Sequence, residues 1–227
     1  LGPLLEPLTP GEVLGAAKSF PWKTSTGCDI HPRHLSLLGR EGLTWLCMLY
    51  AMCEAEHIIP TPVMLTLFFT RPKPGGGRRI VANLPSFYRV YTRARVDIVR
   101  AWDSADVDST FYAGEGMGSV DAVYDAAIED AIAAANGCHT VAGIGDLAKC
   151  FEKIPHHKLV PRAISAGFPP RVLGVSVAMY RAARSVQVDL ASSAAVYTNC
   201  GIAAGCTMAT FLVRAYLMSN LTAFRYE

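Results

Sequence analysis

The sequence has little of what a membrane protein, a disulfide-stapled domain or a repeat array needs. No apolar run reaches the roughly 18–20 residues of a membrane-spanning helix. The longest candidates, residues 63–69 and 201–213, are short and broken by Thr. No internal repeat or low-complexity tract appears, which excludes solenoids and disordered linkers. The seven cysteines (Cys28, Cys47, Cys53, Cys138, Cys150, Cys200 and Cys206) are odd in number, scattered and mostly flanked by apolar residues. That excludes a fully paired disulfide framework and suits reduced core thiols of an intracellular protein. Residues 101–130 contain no Lys or Arg, and residues 71–100 contain one carboxylate, Asp97. The chain opens at Leu1 without Met or a signal-type apolar segment, and reads as a piece of a longer protein.

What is present is a globular composition: 227 residues, 51% apolar and 18% charged, enough to bury a sizeable core. The formal net charge of +2 hides a segregation. Residues 71–100 carry eight basic side chains (71, 73, 78, 79, 89, 93, 95, 100) for a local sum of +7. Residues 101–130 carry eight acidic ones (103, 106, 108, 115, 121, 125, 129, 130). Such a division suggests one face for polyanions and a solvated acidic face elsewhere.

Local signals alternate between helices and hairpins. Thr9 before Pro10, with Glu12 at the third helical position, reads as a capped helix start. Residues 41–57 have helical periodicity and stop before Pro60. Residues 63–70, a Lys73-Pro74-Gly75-Gly76-Gly77 turn and residues 78–82 read as a hairpin with a basic tip. Pro85 opens a helix toward Trp102, and residues 119–136 read as a helix with a Ser119 cap and Gly137 at its end. Residues 140–144 read as a buried strand leading to Asp146. Helices are expected over 158–166 and 170–184, a second hairpin over 185–190 and 194–198 through a Ser-Ser turn, and a last helix over 205–220. Without regular βαβ units, the class is α+β. Cys28, His31 and His34 are spaced as zinc ligands could be, but no fourth ligand is evident and Pro32 lies inside the run, so a plain loop is preferred.

A carboxylate at the end of a buried strand is costly unless it is paired or binds a metal. On spacing alone Asp146 is equally a metal ligand or a turn cap. The run Asp146-Leu147-Ala148-Lys149-Cys150-Phe151-Glu152-Lys153-Ile154-Pro155-His156-His157-Lys158-Leu159 resembles motif A of reverse transcriptases, most closely those of elements without long terminal repeats and their group II intron relatives. Glu152 stands where that family has Asp. Other segments follow in family order. These are Lys23 to Asp29, the Phe68-to-Gly76 strand and turn, Arg78-Arg79-Ile80 (Arg79 replacing Pro), the glycine-rich 114–122, and Gly201-Ile202-Ala203-Ala204-Gly205 at the place of motif B, where Pro-Gln is usual instead of Ala-Ala.

The resemblance implies a right-hand polymerase fold. Residues 1–137 would be an N-terminal extension and fingers, 138–159 the motif A part of the palm, 160–196 a fingers–palm connection, and 197–227 the motif B helix. The thumb would be absent. It implies reverse transcription: attack of a primer 3′-hydroxyl on a deoxynucleoside triphosphate (dNTP), assisted by two Mg²⁺ ions, with Mn²⁺ as a substitute. Asp146 and the carbonyl of Leu147 would hold metal. Lys73 and Arg78 would hold the triphosphate, Phe151 would lie under the sugar and reject a 2′-hydroxyl, and Gly201 and Gly205 would admit the nascent base pair. Arg71, Arg79, Arg89, Arg93 and Arg95 would contact the RNA template and its DNA or RNA primer. The family's Asp-Asp motif C is not in the chain, which has no Asp after Asp189. Two other readings share these residues: a remnant that binds nucleic acid without polymerising, and an RNA-dependent RNA polymerase. Phe151 argues against the latter.

Overall fold

The computed structural model describes residues 2–26, 30–105, 112, 118–141, 149–189 and 191–221. Helix α1 (Pro10–Lys18) begins as its sequence requires. The Thr9 hydroxyl accepts the Glu12 amide at 3.3 Å, and the Glu12 carboxylate accepts the Thr9 amide at 2.7 Å. Helix α2 (Arg40–Glu56) buries Leu43, Leu46, Cys47, Tyr50 and Cys53 along one stripe and ends at His57 in the left-handed region, φ 54°.

Strands β1 (Leu65–Pro72) and β2 (Arg78–Asn83) form the expected hairpin, with Leu67 opposite Asn83 and Pro72 opposite Arg78. The Lys73 amide donates to Gly77 at 3.0 Å, and Gly76 and Gly77 take φ of 88° and 78°, the conformation the glycine run supplies. The expected helix from Pro85 is two helices, α3 (Ser86–Ala94) and α4 (Val96–Ala105), that meet at Arg95. Helix α5 (Ser119–Ala135) is capped by Gly118, whose amide donates to Asp121 at 2.7 Å, so the cap is not Ser119. None of its residues is buried, and Val120, Tyr124 and Ile128 are exposed. The strand expected over 140–144 falls largely outside the described residues.

A short helix α6 (Cys150–Lys153) precedes α7 (His156–Ser165) and α8 (Pro170–Arg181). Strand β3 (Ala183–Val188) pairs antiparallel with the two-residue β4 (Ala191–Ser192), so the chain reverses at Asp189, φ 53°, and not at the Ser-Ser step. A bridge from Arg184 to Val196 extends the pairing. Sequence reading missed that β3 also runs parallel to β1, Leu65 beside Ala183 and Phe69 beside Gln187. The two hairpins are therefore one mixed sheet in the order β2-β1-β3-β4. Helix α9 (Ala209–Leu221) packs on α7. Helices over a small, largely antiparallel sheet make the class α+β, as the sequence led one to expect. No described helix is long and apolar enough to cross a membrane.

Candidate nucleotide and nucleic-acid site

Two segments about fifty residues apart in sequence are clasped together. The Ile202 amide donates to the Phe151 carbonyl at 2.7 Å, the Gly201 amide to Ile154 at 2.8 Å, and the His156 amide to Asn199 at 2.9 Å. With the Pro155–Cys200 bridge, these bonds make a short antiparallel ladder between the turn that follows Asp146 and the glycine loop. Gly201 has φ 89°, and a Cβ there would lie 3.1 Å from the Glu152 carbonyl oxygen and 3.2 Å from the Arg184 guanidinium. A side chain here would be strained by the positive φ and would push both neighbours back, so glycine is favoured. Gly205, φ 96°, is fixed by conformation instead of space: the nearest atom to an added Cβ is the Ala82 carbonyl at 3.9 Å, so the loop runs beside β2.

The Gly201 carbonyl is held from two sides. His156 Nε2 donates to it at 2.9 Å and Arg184 at 3.0 Å, and Arg184 also donates to Tyr180 at 2.6 Å. His156 is fully buried, and burial lowers its pKa although the Gly201 carbonyl pulls the other way; Arg184 and Arg181 lower it further. The ring is therefore neutral, with its proton on Nε2. Burial also lowers the pKa of Arg184, whose guanidinium lies 5.5 Å from the Phe68 ring centre on β1. Sequence reading did not single out His156 or Arg184. His156 had a signal, the Pro-His step after the turn, whereas Arg184 had none: sequence reading places it at the end of the 170–184 helix, which in fact stops at Arg181, leaving Arg184 in β3.

From Phe68 the same strand continues to Arg71, three residues or about 10 Å further on. Arg71 stands directly opposite Arg79, and Lys73, Arg78, Arg71 and Arg79 are all exposed. Like charges directly opposed across a ladder destabilise it unless an anion lies between them. Arg78 is steadied by donating to the Thr70 hydroxyl at 2.7 Å. Ala203 is buried and Ala204 half-buried in the stretch where the motif B pattern has Pro-Gln. Cys206, next in the loop, lies 3.3 Å from the Tyr88 hydroxyl, and burial pushes its thiol up, so it packs as a core thiol.

The remaining basic residues divide. Arg93 is exposed and half-buried Arg89 donates to the Ser25 carbonyl at 2.5 Å; both guanidiniums lie over Phe20, at 4.9 and 5.1 Å. Arg95 is a correction: it is 4% exposed and grips Glu54 with two bonds of 2.6 and 2.8 Å. It lies in the core, joining α2 to the α3–α4 junction, and has no surface for a phosphate. Asp103 likewise leaves the expected acidic face, being buried against Arg214, whereas Asp121, Asp125, Glu129 and Asp130 on α5 are exposed.

Asp146, Leu147 and Cys28 lie outside the described residues. His31 and His34 each spend Nδ1 on a backbone amide, of Arg33 at 3.1 Å and of His31 at 3.2 Å. Among the described residues no group of three or more His, Cys, Asp or Glu is arranged to hold a metal. Phe151 is half-buried against the core edge. Comparison of the chain with protein-family models finds no match, and comparison with curated proteins finds none either.

Proposed function

We propose that the chain is the fingers and part of the palm of an RNA-directed DNA polymerase. What supports this most is the ladder between residues 151–156 and 199–202. It joins the segment that resembles motif A to the one that resembles motif B, and Arg184 ties that junction to the sheet whose other end carries the hairpin cations. In this reading Arg71, Lys73, Arg78 and Arg79 attract the triphosphate and the template backbone, and Arg89 and Arg93 extend the contact. Of the two loop glycines only Gly205 is exposed and offers side-chain-free backbone to the base pair; Gly201, expected beside it, is buried and instead fixes the loop, its carbonyl held by His156 and Arg184. Phe151 screens the sugar.

Two Mg²⁺ ions, or Mn²⁺ in their place, would supply charge neutralisation for the attacking and leaving oxygens. Asp146 and Leu147 are the donors that the resemblance assigns within this chain. One carboxylate and one carbonyl do not fit two ions, so the reading requires further carboxylates from outside residues 1–227.

The test is primer extension by a protein that carries this chain together with those carboxylates. RNA template, DNA primer, Mg²⁺ and dNTPs should give template-dependent product, and Asp146→Ala should abolish it. An Asp146→Ala protein that extends at the unaltered rate would end the polymerase reading. Salt-sensitive binding with no extension by either protein would favour a nucleic-acid-binding remnant.

A further inference from the structure

Helix α2 is apolar on two sides. One stripe, with Leu43, Leu46, Tyr50 and Cys53, is buried. Almost opposite it, Trp45, Met48, Leu49 and Met52 recur at i, i+3, i+4 and i+7, the spacing of one helical face. Trp45 is 62% exposed, Met48 52% and Met52 59%, and Leu49 is half-buried. Leu38, also exposed, extends this outer stripe past the helix start. It folds back over Gly42, where an added Cβ would lie 3.2 Å from the Leu38 Cβ. A helix that packs on one side only carries polar residues on the other. A contiguous exposed patch of Trp, Met and Leu is instead what the centre of a protein interface is made of.

Charge decides what covers it. The charged residues of α2 are Arg40, Glu41, Glu54 and Glu56. Glu54 is spent on Arg95 in the core. At 100° per residue Arg40 is turned about 140° away from Trp45, whereas Glu41 and Glu56 lie within about 40° of it. These two carboxylates frame the outer stripe, one at each end, about 22 Å apart along the axis. Both are exposed, and among the described residues neither is in an ion pair. A second copy of the chain does not match this face. Antiparallel pairing across the middle of the stripe brings Glu41 to Glu56, and parallel pairing brings each to itself, so like charges meet either way. Nucleic acid and anionic lipid are repelled for the same reason. The shape complement of such a ridge is another helix, and the charge complement is a cation at each end of it.

We propose that the outer face of α2 is the docking surface for an amphipathic helix of a partner protein. The partner's apolar stripe lies on Trp45, Met48 and Met52, and Lys or Arg near its two ends meets Glu41 and Glu56. The inference does not depend on the polymerase reading.

Three synthetic helical peptides test it on the unaltered chain by fluorescence anisotropy. The first carries leucines at i, i+3, i+4 and i+7 with a lysine at each end of the stripe. The second has glutamates in place of those lysines, and the third is a shuffle of the first. The lysine peptide should bind roughly fivefold or more tightly than either of the others. Its advantage over the glutamate peptide should shrink at about 1 M salt, where exposed charges are screened. It should shift the chain's tryptophan emission to the blue, and the shift should be absent in Trp45→Phe. Met48→Glu should weaken binding by roughly tenfold. Glu41→Gln together with Glu56→Gln should remove the preference for lysine over glutamate. Equal affinity for the lysine peptide and either of the other two, no saturable binding, or a blue shift that survives Trp45→Phe overturns the proposal. So does sedimentation of the unaltered chain as a dimer that Met48→Glu dissociates, since that gives the face to a second copy. The peptide comparison needs no variant, so it decides the matter even where a substituted chain fails to fold.

Discussion

Replacing Arg95 by Met removes one half of a buried ion pair and leaves the other half in place. The Glu54 carboxylate, 5% exposed, loses the bonds of 2.6 and 2.8 Å that compensate its burial. The nearby cation cannot step in, because Arg171 already donates to the backbone carbonyls of Glu54 and Ala55 at 3.2 and 2.9 Å. Breaking a buried pair from one side costs about 3–5 kcal/mol. For a chain of this size each kcal/mol lowers the melting temperature by about 2–4 °C, so the loss should be about 6–20 °C. Removing both charges, as Glu54→Leu with Arg95→Met, leaves nothing uncompensated and should recover most of it. Thermal melting gives the first measurement, and fluorescence anisotropy of a labelled oligonucleotide across a salt series gives the second. The salt slope of Arg95→Met, taken well below its melting temperature, should equal that of the unaltered chain. An Arg95→Met protein that melts normally but binds with a shallower slope would refute the core assignment and return Arg95 to the nucleic-acid surface.

Five exposed cations, Arg71, Lys73, Arg78, Arg79 and Arg93, if all meet phosphate, give a log–log salt slope of about −3.5 to −4.5, and replacing Arg71 and Arg79 by Gln should flatten it by about 1.4–1.8. Gly201→Ala forces a side chain to φ 89° against the Glu152 carbonyl, so unfolding should become easier by at least about 1–2 kcal/mol, measured by urea titration. His57 and His156 have folded pKa values below the ordinary 6.5, so the unfolded chain binds more protons between those values and 6.5. Their contribution is complete above pH 6.5 and is lost as pH falls toward the folded values; melting temperature should drop on acidification, and less so in His156→Gln. In a polymerising protein, Phe151→Ala should keep deoxynucleotide use and raise ribonucleotide incorporation, read from single-nucleotide extension.

Much of the fold could be read locally, because local chemistry decides it. The Thr9–Glu12 cap, the glycine turn of the first hairpin and the end of α2 at His57 each rest on residues within one turn of the feature they make. What could not be read was long-range. The parallel pairing of β1 with β3 joins residues more than a hundred positions apart, and neither strand's pattern names its partner. The reversal at Asp189 has the same origin. The Ser-Ser step was the better turn by composition, but Ser193 is used to hold the strands, its hydroxyl accepting the Val186 amide at 3.0 Å and its carbonyl accepting the Ser185 hydroxyl at 2.9 Å.

The basic face shows where a charge count stops being informative. Arg93 and Arg95 contribute equally to the sum over residues 71–100, yet two steps along a helix turn the side chain by roughly 200°. Tyr88, Tyr91 and Arg95 follow one another at spacings of three and four, so Arg95 continues the stripe of the buried tyrosines, whereas Arg93 faces away. On α2, Glu54 continues the stripe of Cys47 and Tyr50 in the same manner. A lone charge on an apolar stripe is improbable unless another element brings the opposite charge on its own stripe. Each of these two helices carries one such residue, and the signs are opposite. The pairing was therefore legible from helical phase, a signal that net charge over a window averages away. Read by phase, Arg95 leaves the cations open to a polyanion and joins the residues that hold α2 against the α3–α4 junction.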